Sequence, residues 1–209
     1  MTVWNTLFKD EQYNNITSKI DDLIKETRLM VKRQFKSDFI ANEQRPKAIA
    51  LQNELKEYAQ NRMSKLQVEL EGIEQRYTYK NHDNPQLELI RRQDLQARLS
   101  LLDSHDLINE INNANLEDIS VFEVGIYQNM INEKMTDSDK AKVNEKFTEI
   151  KDKALNPFKY DEVYKQKEQD YLVLENSGMN HTGVSVVKDD EGQVSITSVT
   201  ELVESEIKW

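Results

Sequence analysis

Residues 51–77 read LQNELKEYAQNRMSKLQVELEGIEQRY. Leu51, Leu55, Tyr58, Arg62, Leu66, Leu70, Ile73 and Tyr77 recur at steps of 4, 3, 4, 4, 4, 3 and 4. Such steps place side chains on one face of a helix, and a near-heptad seam suits helices that pack along their length. Arg62 interrupts the seam, with Met63 beside it. Pro46 fits the first turn of a helix and biases Arg45 away from helical angles, so the helix is expected to run from about 46 to 77. At about 1.5 Å per residue it is roughly 45 Å long, which outgrows a compact globule and suggests an antiparallel hairpin or a coiled coil.

A second long helix is expected upstream. Ile16, Ile20, Leu23, Ile24, Thr27, Met30, Val31 and Phe35 form a second helical stripe, opposed by Lys19, Asp21, Lys25, Glu26, Lys32 and Lys36. This predicts a helix over 13–40, with a break through Asn42 to Pro46. A short helix carrying Trp4, Leu7 and Phe8 precedes it. Downstream, the polar stretch 79–84 is a turn, and further helices are expected at 85–102, 104–111, 117–133, 137–155 and 160–176. Asp103, Ser104 and Thr136 are cap residues, and Ser177-Gly178 is a stop. Residues 117–133 are densely apolar. Val124 and Gly125 weaken a helix there, but the length exceeds a strand, so a buried helix is expected.

After 176 the period changes. Gly183 to Lys188 and Gln193 to Val199 alternate around Asp189-Asp190-Glu191-Gly192, the pattern of a β-hairpin. Residues 200–209 continue as a strand or a short helix. A lone two-stranded hairpin is marginal in water. It must pack on the helices, pair with another chain or gain strands by oligomerisation. The expected fold is therefore mainly α: an elongated helical bundle or helical hairpin with a small C-terminal β-hairpin. The helical body is 1–176 and the tail 177–209.

Composition excludes much chemistry. The 209 residues include no Cys, 5 Gly and 3 Pro, so disulfides, thiolate metal sites and Cys nucleophiles are out, and glycine-rich nucleotide loops are disfavoured. No P-loop, dinucleotide fingerprint, Gly-x-Ser-x-Gly or His-Glu-x-x-His occurs. No apolar run approaches the roughly 18–20 residues of a membrane span, so no membrane partner is expected. The N-terminus lacks the basic and apolar regions of a signal peptide, which points to a cytoplasm or a virion assembled there. A net charge of −10 makes nucleic acid an unfavoured partner.

Asp103, His105 and Asp106 form the densest mixed cluster, and carboxylate with imidazole suits a divalent ion. The favoured reading of the same residues is a helix start decorated with capping acids. No catalytic, metal or cofactor-binding residue is assigned, and no cofactor is implied.

Charge is unevenly spread. Lys25, Arg28, Lys32, Arg33 and Lys36 against Glu26 give 25–36 a balance of +4, while 101–135 hold seven acids and Lys134, a balance of −6. Complementarity within the chain or between subunits follows. The candidate interaction surface comprises Lys25, Arg28, Lys32, Arg33 and Lys36, the hairpin residues Val184, Val186, Val194 and Ile196, and the terminal Trp4 and Trp209. These features predict a non-catalytic structural or assembly protein, such as a bacteriophage virion, connector or assembly component. Its partners are proteins, in a homo-oligomer or a larger assembly. One alternative is an acidic inhibitor of a nucleic-acid-binding protein. Another is an acid/base or metal-dependent enzyme built on Asp103, His105 and Asp106.

Overall fold

A computed structural model of the chain describes residues 4–78, 85–116, 119–188 and 193–208. The described residues are mainly helical, with one antiparallel two-stranded sheet near the C-terminus. By contacts the chain divides into two units, Met1–Glu71 with Gln166–Trp209, and Gly72–Lys165.

In the first unit, helix α1 (Asn5–Phe8) leads into α2 (Glu11–Lys32). Asp10 caps α2, its carboxylate accepting from the N–H groups of Gln12 and Tyr13 at 2.9 and 3.1 Å. This satisfies donors that a helix start leaves without partners. The buried residues of α2 are Tyr13, Ile16, Ile20, Leu23 and Thr27, the stripe read from the sequence.

The break after α2 falls earlier than expected. Helix α2 ends at Lys32, and α3 runs without interruption from Ser37 to Thr78, with Pro46 inside it. The expected boundaries, 13–40 and 46–77, are corrected accordingly. Gln34 takes a left-handed φ of 58°. Its N–H bonds to the Val31 carbonyl at 2.9 Å, and the Phe35 N–H bonds to the Met30 carbonyl at 3.2 Å. These two bonds make a Schellman stop, a motif that usually has Gly or Asn at the left-handed position. Pro46 removes one helical hydrogen bond. Burial of Ile40, Gln44, Ala48 and Leu55, on one face across it, outweighs that loss.

Helix α8 (Glu162–Ser177) ends at Gly178, and a single turn, α9 (Met179–Thr182), leads to Gly183. Gly183 has φ 68°, and a Cβ there would stand 2.0 Å from the Gln52 carbonyl oxygen of α3. Only glycine permits that approach. Strands β1 (Ser185–Lys188) and β2 (Val194–Thr197) pair with Val186 opposite Ile196. The segment after the hairpin is a helix, α10 (Val199–Ile207), opened by a reciprocal capping box between Ser198 and Glu201.

Sequence character sets the domain boundary at 176/177, whereas contacts return the tail to the first unit. The reason is packing: Val186, Val199 and Val203 are buried in one cluster with Ile16, Ile20 and Leu23 of α2 and Leu55 and Tyr58 of α3. Each such valine contributes about 1.5–3 kcal/mol of burial before entropy is counted.

The second unit has its own core. Leu99 of α4 (Pro85–Ser100), Leu107 and Ile111 of α5 (Ser104–Asn112), Ile126, Tyr127 and Ile131 of α6 (Val121–Lys134) and Val143, Phe147 and Ile150 of α7 (Asp137–Leu155) are buried together. The apolar stretch expected as a helix at 117–133 is α6, capped by Ser120 with Glu123. Lys134 donates to the carbonyls of Ser100 and Leu102 at 2.6 and 2.7 Å, satisfying the open end of α4. A 3-10 turn, Pro157–Tyr160, follows α7. The start of α8 is tied to the end of α3 by Tyr77 donating to Asp161 and Tyr164 donating to Glu74, both at 2.9 Å.

Candidate interaction surface

The basic face read from residues 25–36 separates into two parts. Lys25 is paired with Asp22 on its own helix at 3.1 Å. Arg28 grips Glu206 of α10 with two hydrogen bonds of 2.7 and 2.6 Å. Neighbouring cations behave alike: Lys19 pairs with Glu54, Arg45 with Glu204 and Lys47 with Glu26. The carboxylates answer in their titration. Hydrogen bonding to Arg28 lowers Glu206, bonding to Arg45 lowers Glu204 and bonding to Lys47 lowers Glu26, each from an ordinary 4.5. The acid that meets Arg28 comes from α10, a source not anticipated from the sequence.

Lys32, Arg33 and Lys36 differ. All three are exposed, and none has an ion pair among the described residues. They occupy the α2–α3 corner, where the left-handed Gln34 reverses the chain. The same corner shows Leu29, Phe35 and Phe39 at 52, 46 and 47 % exposure. The rings of Phe35 and Phe39 stack, with centroids 5.6 Å apart and planes 22° from parallel. Asp38 is the single acid between 29 and 39, so the three cations leave the corner at +2. Exposed apolar side chains with unpaired cations in the same short segment are suited to an acidic surface that carries apolar side chains of its own.

The stacked pair was not legible. Phe35 reads as part of the buried α2 stripe if the helix continues to 40. The stop at Gln34 moves it out of that stripe, and Gln carries no turn signal. Ser37 and Asp38, at the start of α3, are the local hints of a helix start.

The hairpin residues are largely used within the chain. Val186 is buried at 1 % exposure, and Val184 and Val194 pack against the same cluster half-buried. The Tyr13 hydroxyl donates to the Val186 carbonyl at 2.7 Å and accepts from the Val186 N–H at 2.9 Å. One side chain thus occupies the outward main-chain groups of Val186, at a position on β1 where an added strand would bind. Burial holds the Tyr13 hydroxyl above its ordinary value of 10.0. Ile196, 45 % exposed, lies on the other strand. Trp4 is half-buried against the first core. Trp209 lies outside the described residues.

Asp103 caps α5, its carboxylate accepting from the Asp106 N–H at 2.9 Å, and His105 and Asp106 are exposed. No group of three His, Cys, Asp or Glu suited to a metal occurs among the described residues. No described helix is long and apolar enough to cross a membrane. No protein-family model, no curated protein and no solved structure matches the chain.

Proposed function

We propose that this chain is a non-catalytic assembly or interaction protein that engages an acidic protein surface through its α2–α3 corner. One observation carries the reading. Of the eight Lys and Arg residues from 19 to 47, five have carboxylate partners from the chain, and the three without lie together beside an exposed aromatic stack. In a chain with net charge −10, carboxylates are plentiful, so unpaired neighbouring cations mark a surface left open. Surface ion pairs contribute little to folding, so leaving these three free costs the fold almost nothing.

The test is purification of tagged chain from its native source, with mass-measured size exclusion and identification of what accompanies it. A stoichiometric protein companion is expected, either another protein or further copies of the chain, and it should be lost from a K32E/R33E/K36E variant. A strictly monomeric chain with no companion, or a companion held equally by the variant, would contradict the reading.

A further inference from the structure

We propose that the α2–α3 corner docks on a second copy of this chain, at the acidic end formed by the α4–α5 connection and the start of α7. This rests on the corner being a protein-docking surface, and it names the occupant.

Leu101, in that connection, is 86 % exposed, more than the other exposed large hydrophobics. Asp103 and Asp106, two and five residues on, are exposed and have no ion pair among the described residues. Ser104 donates to Asp139 at 3.2 Å, which joins the start of α5 to the first turn of α7. There Asp137 has a fully open side chain, with Lys140 no closer than 3.9 Å. The nearby cation Lys134 is directed at the Ser100 and Leu102 carbonyls. Asp139 is held by Lys142 at 2.8 Å and falls to about 2 through hydrogen bonds from Lys142 and Thr136.

The two surfaces are counterparts. One has Leu29, Phe35 and Phe39 with three unpaired cations. The other has Leu101 with three weakly held or unpaired carboxylates. A like-with-like contact would set cations against cations in the corner and carboxylates against carboxylates at the acidic end. Docking of unlike surfaces places opposite charges together around an apolar centre. Because the two surfaces are different patches of one chain, the contact is heterologous. Each docked copy still offers one corner and one acidic end, so association continues into a ring or an open chain.

A paired charge reversal tests this by light scattering. The wild-type chain is expected to grow in mass with concentration, and to return to monomer as salt rises from about 20 to about 500 mM and screening shortens. K32E/R33E/K36E alone and D103K/D106K/D137K alone should each be monomeric, since each sets like charges together. Mixed in equal amounts they should associate again, because each corner then meets an end of opposite sign. Matching circular dichroism spectra establish that both variants are folded, and D103N/D106N/D137N repeats the acidic-end test without added cations. A wild-type chain that stays monomeric at low salt, variants that associate as the wild type does, or a mixture that stays monomeric overturns the proposal. Binding of the monomeric chain to phosphatidylserine vesicles through the corner would assign it to a membrane instead and also overturn it. If a different protein is captured through the corner while self-association fails, this inference falls and the proposed function stands. If neither occurs, both fall.

Discussion

The hairpin tail and the α2–α3 corner are the two regions that the sequence marks for partners, and the structure treats them in opposite ways. In the tail, Val186 is buried, Tyr13 fills the outward backbone groups of Val186, and Gly183 sits against the backbone of α3. In the corner, two aromatic rings and three cations face solvent. The difference teaches that a local pattern specifies a face without specifying what covers it. A period-two stretch is equally suited to a free sheet edge and to a strand laid on its own helices. What separates them here is a tyrosine 173 residues away in the chain.

The comparison is most easily broken at Gly183. Gly183→Ala adds a Cβ against the Gln52 carbonyl at a left-handed φ. It should lower unfolding stability by about 2–3 kcal/mol or more, read by chemical denaturation. An unchanged midpoint would show that the tail is not seated on α3. Tyr13→Phe comes next. It leaves the N–H and C=O of Val186 without their partner in a buried site, for an expected loss of about 2 kcal/mol and faster amide exchange in β1. If exchange in β1 is unaltered, the hydroxyl does not hold the strand.

Smaller and acid-dependent is the attachment of α10. Glu204 and Glu206 have folded-state values below 4.5. Their pairs with Arg45 and Arg28 therefore contribute above pH 4.5, and the contribution is lost as pH falls through the lowered values. R28A/R45A should be somewhat less stable than the wild type at neutral pH, and the gap should close on acidification below 4.5. A gap that persists in acid would mean that packing, not charge, is what those arginines supply. The least effect on folding is expected in the corner itself. K32E/R33E/K36E should stay within about 0.5 kcal/mol of wild type, because surface side chains without partners add little.

Much of the fold was legible in the sequence. The α2 stripe at 16, 20, 23 and 27, the caps Asp103 and Thr136 and the stop at Ser177-Gly178 all appear in the structure, because each rests on contacts within a few residues. The break between α2 and α3 was misplaced because two strong rules pointed at Pro46. Long-range burial of Ile40, Gln44 and Ala48 overrode them, and the true stop used a glutamine with no turn signature. The fate of 200–209 was left open between strand and helix, and the Ser198–Glu201 capping box opens a helix there, Val199–Ile207. At the candidate site, the basic residues were readable as a group. Which of them are free was not, because Glu204 and Glu206, the partners of Arg45 and Arg28, lie about 160–180 residues away in sequence and are placed by tertiary packing.

The most direct measurement is light scattering of two variants side by side, K32E/R33E/K36E in the corner and Ile196→Lys on the exposed strand of the tail. If the corner is the open surface and the tail is consumed within the chain, the corner variant loses association and the tail variant keeps it. Loss of association in Ile196→Lys, with the corner variant unaffected, would contradict the assignment and return the interaction to the hairpin.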